Sequence, residues 1–519
     1  MATSRSAGGL LPPGPARRAK ATLAWDTPAI GDEATRYLCA AAHVDAAFAR
    51  RALREFVFDD GRAPAPNCGV DEVLVLRHCL AARARRLHRD VLVCAVVGVA
   101  LVVSVWSVTA WLIWGLGVRV LTRRSAVAAS APGSASAGAS GSGSVPVSAL
   151  AGFAALLWGA AGVFGLLAVS HVARPFGLTI RGRSGAELGG PASAWIGVPA
   201  VAVAVVWLIL LVERLAARHV LVDRLRRDRF GTHRWVTTET VWARRALGEL
   251  AARQAGDRQV LADPARPFAG SGRQVLRRRW LVETGPIRYD VADFVDRVTE
   301  RLAAGVFGLD PAGLLESVEW DDFAVTTGPV LVTGQTVDAT LRLLPAGRGV
   351  AVPRVYRRFR ISDDPAETVV TAYLAGHAAQ GLAQIEVHGL VLDPIAAAYR
   401  TVDRLTPLGL TVFAAEVWHA TAALPGLLFG APRGAARAAA DPVRRRHRRA
   451  VLDRSAANGL PAASGARTSL RELGVARPGA GRRAPLADRE GAVFAREDAN
   501  LCLAVVERRV REELRPLLY

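Results

Sequence analysis

The chain has 519 residues, of which 51% are apolar, and a formal net charge of +20. Its one lysine, Lys20, lies in a proline- and arginine-rich N-terminal stretch. This position excludes the lysine-dependent chemistry of P-loop proteins, protein kinases and pyridoxal enzymes. The five cysteines are scattered and odd in number, so they predict free thiols rather than a disulfide framework.

The N-terminal part of the chain divides into two regions. Residues 1–30 are rich in Pro, Ala, Gly and Arg and lack the apolar core of a signal peptide, which predicts a disordered lead. Residues 32–90 carry apolar side chains at helical spacing and end in a basic cluster. They predict a helical N-terminal region.

Three apolar runs follow, at 91–118, 147–173 and 194–212. The first holds 28 residues without a charge, and a helix of about 20 residues crosses the hydrocarbon core of a bilayer. The loop at 119–146 is rich in Gly and Ser and predicts a flexible connection. The predicted fold class is therefore a membrane protein with three α-helical transmembrane segments, a helical N-terminal region and a C-terminal α+β soluble region.

A fourth apolar stretch, at 405–430, leaves the number of transmembrane segments open. It carries Glu416 near its middle, and a charge at the centre of a bilayer costs roughly 2.5–3.5 kcal/mol on insertion scales. Pro407 and Pro425 also limit the uninterrupted helix to 408–424. We therefore favour a helix packed in the soluble region or lying at a membrane surface over a fourth transmembrane segment.

The C-terminal half predicts mixed secondary structure. Residues 213–430 are expected to form a mixed α+β soluble region, with a strand within 349–362 and a helix over 365–384. Residues 431–495 are rich in Ala, Arg, Gly and Pro and predict a partly disordered segment. Residues 496–518 carry apolar residues on or near one helical face and predict an amphipathic C-terminal helix.

Two pairs of residues are candidates for catalysis. Glu416 and His419 have the E-x-x-H spacing of di-iron helical bundles, but no second copy accompanies them, so we expect a hydrogen-bonded pair. On a strand, Glu319 and Asp321 would share one face and could act as general acid and base, but no partner residues are identifiable and we favour a solvated turn. Convergence of these carboxylates with His377 or His388 would favour an enzyme. No cofactor and no metal ion are expected.

Arginine clusters flank the first and third apolar runs. Basic residues beside a membrane attract anionic lipid headgroups by about 1 kcal/mol each. The alternative is that they reflect membrane topology and GC-rich coding. Nucleic-acid binding is less favoured, because no nucleic-acid motif accompanies them. The predicted membrane-surface residues are Arg83, Arg85, Arg86, Arg89, Arg224, Arg226, Arg227 and Arg229.

These features predict a polytopic, non-enzymatic membrane-anchored interaction protein with a basic soluble region. Its composition resembles that of membrane proteins from GC-rich bacteria. The expected partners are the lipid bilayer, anionic headgroups and an unidentified protein, and oligomerisation is left open. The expected location is the cell membrane, with the larger soluble region in the cytoplasm. The alternatives are a membrane-bound enzyme that uses C-terminal carboxylate and histidine residues, and a small transporter component.

Overall fold

The computed structural model describes two compact units built from separate stretches of the chain. The first unit comprises Met1–Leu80, Leu225–Arg404 and Arg445–Tyr519, and the second comprises Ala81–Arg224 and Leu405–Arg444. The predicted lead, the Gly/Ser-rich loop and the 147–173 run lie outside the described residues. Those residues are 33–58, 65–66, 69–103, 192–230, 241–254, 259–262, 266–283, 290–303, 318–327, 354–361, 367–379, 381–457, 466–475 and 486–518.

The first unit is built around a six-stranded sheet of mixed direction. The strand order is β1-β3-β4-β5-β6-β2, and every neighbouring pair is antiparallel except the parallel pair β1–β3. Gly381, with φ of 80°, supplies the left-handed backbone in the short β5–β6 connection. The strands are β1 Gln259–Ala262, β2 Arg273–Glu283, β3 Val318–Thr327, β4 Arg354–Ile361, β5 Val369–Ala379 and β6 Leu382–Leu392.

Two helices cover one face of this sheet and form its main core. Their apolar sides meet alternate strand residues, because successive side chains of a strand point to opposite faces. Phe294 and Val298 come from the first helix, and Leu503 and Val506 from the second. All four are buried against strand residues such as Phe359. The helices are α6 Val291–Ala303 and α10 Leu486–Leu518.

Shorter helices complete the first unit. Asp45 caps α2 by accepting a hydrogen bond from the backbone N–H of Ala47 at 2.6 Å. Arg36 is buried and donates to Asp403 and to the carbonyl of Leu225, which fixes the first helix beside two later parts of the chain. The helices are α1 Glu33–Val44, α2 Ala46–Leu53 with the π-helical turn Arg54–Phe58, the start of α3 Glu72–Val103, α5 Val241–Gln254, α7 Ala397–Arg400 with the 3₁₀ turn Thr401–Arg404, and α9 Leu470–Leu473.

The described part of the second unit is helical. It contains the later part of α3, α4 Ala192–Arg224 and most of α8 Leu410–Ala457. Val93 of α3, Val206 and Leu210 of α4, and Ala420 and Leu427 of α8 are buried in one core. The indole N–H of Trp207 donates to the hydroxyl of Thr421 at 3.1 Å and adds a polar link between α4 and α8.

The predicted fold class of a membrane protein is contradicted by the structure. Among the described residues, no single helix has both the length and the apolar character needed to cross a membrane. Within the part of the chain that the structure describes, the two arms of α8, Leu410–Leu424 and Gly426–Arg454, reach that length and composition only together, and a 50° bend separates them.

The described parts of the first and third predicted transmembrane segments fall within longer helices. The described part of 91–118 continues the arginine-bearing helix α3, and 194–212 lies within α4, which runs on through Glu213 and Arg214. Several apolar residues of these runs belong to the helical core of the second unit. The observed architecture is a mixture of helices and a largely antiparallel sheet.

One further expectation, on secondary structure, differs from the structure. The predicted helix over 365–384 is replaced by strand β5 and the start of β6, whose alternate residues enter the sheet core. Within 431–495, the described residues form the end of α8, helix α9 and the start of α10, and the expected partial disorder of this segment stays a prediction. The predicted C-terminal helix at 496–518 lies within α10.

Candidate functional site

The sheet face opposite α6 and α10 carries a line of polar side chains that crosses five strands. Asp321 pairs with Arg358, Arg358 with Tyr373, Tyr373 with His388, and His388 with Arg277. Residues directly opposite each other on neighbouring strands point to the same face. We call these five residues the polar row.

A buried ion pair forms one end of the polar row. The Nε of Arg358 donates to Oδ1 of Asp321 at 2.7 Å, and its Nη2 donates to the second carboxylate oxygen. Both side chains are buried, and the guanidinium lies 4.6 Å from the centre of the Phe323 ring. This bidentate arrangement satisfies both charges, which indicates a structural role for Asp321.

Aromatic rings cover the middle of the polar row. Phe268 stacks on Tyr373 with ring centroids 4.2 Å apart and tilts against His388 at 4.9 Å. The hydroxyl groups of Tyr373 and Ser271 are 2.7 Å apart, and both residues are buried. The segment that brings Phe268 and Ser271 here turns at Gly270 and Gly272, which have φ of 91° and 92°.

At the other end of the polar row, two arginines lie close to a buried carboxylate, and a third arginine faces His388. An Nη atom of Arg279 lies 3.0 Å from the Glu386 carboxylate, and one of Arg354 lies 3.9 Å from it. Arg277 faces His388 across β2 and β6. We call Arg277, Arg279, Arg354, Glu386 and His388 the basic edge cluster.

Burial and charge set the protonation of the cluster. Burial alone would raise the pKa of Glu386, but Arg279 and His388 hold that pKa below its ordinary value. Burial lowers the pKa of His388, and the neighbouring Glu386 opposes this effect only in part. His388 is therefore neutral at pH 7, with its Nδ1 3.0 Å from the side-chain amide nitrogen of Gln274.

The basic edge cluster lies at one edge of the sheet. Among the described strands, β2 pairs only with β6, so its other side has no strand neighbour there. β2 is 11 residues long, with a register irregularity between Gln274 and Leu276. Most of its residues are exposed, including Arg277 and the apolar Leu281.

The sequence-predicted carboxylates of β3 share a face, but they do not form a catalytic group with the histidines. Glu319 lies opposite Arg360, one row from Asp321. Three strand spacings, about 14 Å, separate Asp321 from His388. His377 lies at the exposed end of β5. Among the described residues, no three His, Cys, Asp or Glu side chains are arranged to hold a metal ion.

Glu416 and His419 do not form the expected pair. The carboxylate of Glu416 accepts hydrogen bonds from Nε of Arg214 at 2.8 Å and from Nη1 of Arg218 at 3.2 Å. His419 is exposed on the same helix. Glu416 therefore joins α8 to α4 by ion pairs.

Most of the predicted membrane-surface arginines contact protein groups. Arg86, Arg224 and Arg229 also interact within the protein. A lipid headgroup would therefore compete with acceptors that the protein already supplies. The contacts are Arg83 to Asp441 at 2.7 Å, Arg85 to the Ala216 carbonyl at 3.3 Å, Arg89 to Asp90 at 2.8 Å, Arg226 to Asp228 at 3.2 Å and Arg227 to Glu33 at 2.9 Å.

Sequence reasoning missed Glu386, Arg279 and Arg354. A signal for Glu386 was present, because Gln384, Glu386 and His388 recur every second residue within an otherwise apolar stretch. That spacing indicates one polar face of a strand. The arginines could not be assigned to Glu386, because their strands are distant from it in sequence and only the sheet order brings them together.

Comparison with known proteins gives one match. Residues 269–519, slightly less than half of the chain, match the family model described as "AbeC-like domain". The matched range includes β2 to β6 and both helices on the sheet, and therefore the polar row and the basic edge cluster. No curated protein and no solved structure matches the chain significantly.

Proposed function

We propose that this protein is a non-enzymatic interaction protein that binds an extended segment of a partner protein along strand β2. The observation that supports the proposal is the length and exposure of this edge strand, which pairs on one side only among the described strands. An unpaired edge offers a row of backbone donors and acceptors to another chain. Partner recognition by strand addition uses this property.

The composition of β2 supports binding more than simple protection of the edge. Natural sheets protect their edges with short strands, prolines or charges. β2 is long and contains no proline, and it exposes two apolar residues, Val275 and Leu281, beside its arginines. At about 3.4 Å per residue, it offers roughly 37 Å of edge.

The enzyme alternative has less support. Asp321 is held by Arg358 in a buried ion pair, and Glu416 is held by two arginines. His388, the histidine of the polar row, is buried under Phe268. No contact among the described residues supports an enzyme or a transporter component. Both alternatives stay predictions.

Hydrogen–deuterium exchange of the full chain tests strand addition. Three peptides of about ten residues, in which threonine alternates with glutamate, glutamine or arginine, are added separately. We expect at least one to slow amide exchange across Arg273–Glu283, because a bound strand pairs with the free edge. Exchange in β1, at the opposite edge, is the internal control. If no peptide of any charge protects β2 while the sheet remains folded, the proposal is wrong.

A further inference from the structure

We infer that the basic edge cluster selects an acidic partner segment with two carboxylate side chains two residues apart. This inference rests on the proposed strand addition and names the chemistry of the partner. Arg277 and Arg279 both point to the face that carries His388 and Glu386. Residues i and i+2 of an added strand would point to that same face and lie beside them.

The two faces of β2 differ in their charge balance. Arg278, between Arg277 and Arg279, points to the opposite face and is paired with Glu507 of α10 at 2.9 Å. On the cluster face, Arg279 and Arg354 share the single carboxylate of Glu386. Arg277 has no ion pair with a described residue, and His388 is neutral at pH 7. Within the basic edge cluster, three arginines therefore meet the one carboxylate of Glu386, which leaves two positive charges in excess.

The arginines of the cluster remain accessible to a ligand. Arg279 is 53% exposed and Arg354 is 60% exposed, although both reach the buried Glu386. A guanidinium has five N–H donors, so a contact with one carboxylate leaves donors for another. Glu386 thus positions the two guanidinium groups without neutralising the cluster.

Charge also disfavours a second copy of this chain as the partner. Pairing β2 with β2 would bring two arginine-rich strands to the spacing of neighbouring strands, about 4.8 Å. Like charges opposite each other destabilise a strand pair, whereas opposite charges stabilise it. The occupant that complements this edge is a segment of another protein with acidic residues.

Binding of designed peptides to the full chain tests the spacing of the acidic residues. Two labelled peptides of equal length and charge each carry two glutamates in a threonine background. In one the glutamates are two residues apart, on one face of a strand; in the other they are three apart, on opposite faces. We expect the first peptide to bind about five times more tightly, because only its carboxylates can both meet the cluster.

Charge reversal identifies the residues. Arg277→Glu and, as a second variant, Arg354→Glu are expected to weaken binding of the first peptide about tenfold and binding of a glutamine analogue by less than twofold. Arg244→Glu, at an exposed position in α5, is the matched control and should change neither. The melting temperature of each variant checks that it is folded.

The possible failures are distinguishable. If the glutamine analogue protects β2 as strongly as the acidic peptides, or if Arg244→Glu weakens binding as much as Arg277→Glu, strand addition stands and the acidic specificity is overturned. If no peptide protects β2, the proposed function itself fails. Binding to phosphatidylserine vesicles without peptide protection of β2 would assign the basic edge to a lipid surface and overturn both.

Discussion

Gly272 shows how closely a single residue can be constrained in this fold. It lies between Ser271 and the start of β2 with φ of 92°, and a Cβ there would collide with the carbonyl oxygen of Val391 and lie 2.7 Å from the Cα of Leu392. No residue other than glycine satisfies both the backbone conformation and this close approach.

Gly272→Ala should therefore lower the free energy of unfolding by about 2–4 kcal/mol, through left-handed strain and overpacking together. Gly248→Ala is the matched control, because Gly248 lies in helix α5 with open space around it. This substitution should raise the stability by about 0.5–1 kcal/mol. Urea unfolding of both variants measures the difference. An equal effect of the two substitutions would contradict the close packing at Gly272.

His388 makes stability depend on pH. Because burial lowers its pKa below the ordinary value of 6.5, the unfolded chain binds a proton in an interval where the folded chain does not. The stabilising contribution is therefore complete above pH 6.5 and is lost as the pH falls from there through the folded pKa. For one proton the slope is at most about 1.4 kcal/mol per pH unit.

We expect His388→Gln to reduce the loss of stability between pH 7 and pH 5, measured by urea unfolding at each pH. His377→Gln, which removes an exposed histidine of β5, is the control for the substitution. Glu386 adds a separate contribution at lower pH: its pKa is held below 4.5, so its contribution is present above pH 4.5 and is lost as the pH falls through the lowered pKa. Equal slopes for wild type and His388→Gln would contradict the buried neutral histidine.

At the residue scale, the sequence predicts which side chains share one face of a strand, but it does not predict which residues they contact. The favoured solvated turn at Glu319 and Asp321 is wrong, because both residues lie on strand β3, where alternation puts them on one face. Alternation cannot show that Arg358, 37 residues later, holds Asp321, because that contact depends on the register between β3 and β4. The same limit explains why Glu416 was matched with His419, its neighbour on the helix, rather than with Arg214.

At the scale of elements, Glu416 connects two helices. It is largely buried and receives hydrogen bonds from Arg214 and Arg218 of α4. Glu416→Leu should lower the free energy of unfolding by about 1–3 kcal/mol, because both guanidinium groups lose their shared carboxylate in a partly buried site. His419→Ala, on the exposed side of α8, should stay within about 0.5 kcal/mol of wild type. Thermal unfolding measures both variants, and a large effect of His419→Ala would restore the E-x-x-H interpretation.

Strand β5 illustrates why an element can be assigned to the wrong class. Its sequence, VVTAYLAGHAA, mixes β-branched residues with alanine and leucine, so local preference does not decide between helix and strand. The decision comes from β4 and β6, which pair with it on both sides, and from Val291 of α6, which packs against Gly376. These neighbours are remote in sequence, so the residue pattern of β5 alone cannot predict its contacts with them.

At the scale of the whole molecule, the sequence suggested regions that follow one another along the chain. The structure instead forms its first unit from three separated stretches. The contacts that join them are specific: Tyr399 donates to Asp45 at 2.9 Å, and Ser469 donates to the carbonyl of Gly270 at 3.0 Å. Apolar run length predicted the membrane class, but it does not reveal that residues such as Val206 and Leu210 share a helical core with α8.

The position of α10 has a consequence for synthesis of the protein. The last strand ends at Leu392, and the helix that covers the apolar face of the sheet begins at Leu486. Roughly ninety residues must be translated between them, which takes about 5–20 s at usual elongation rates. During that interval the ribosome carries a sheet whose apolar face lacks one of its two covering helices. A chain that stops before Leu486 would therefore lack the residues, such as Leu503 and Val506, that close this core.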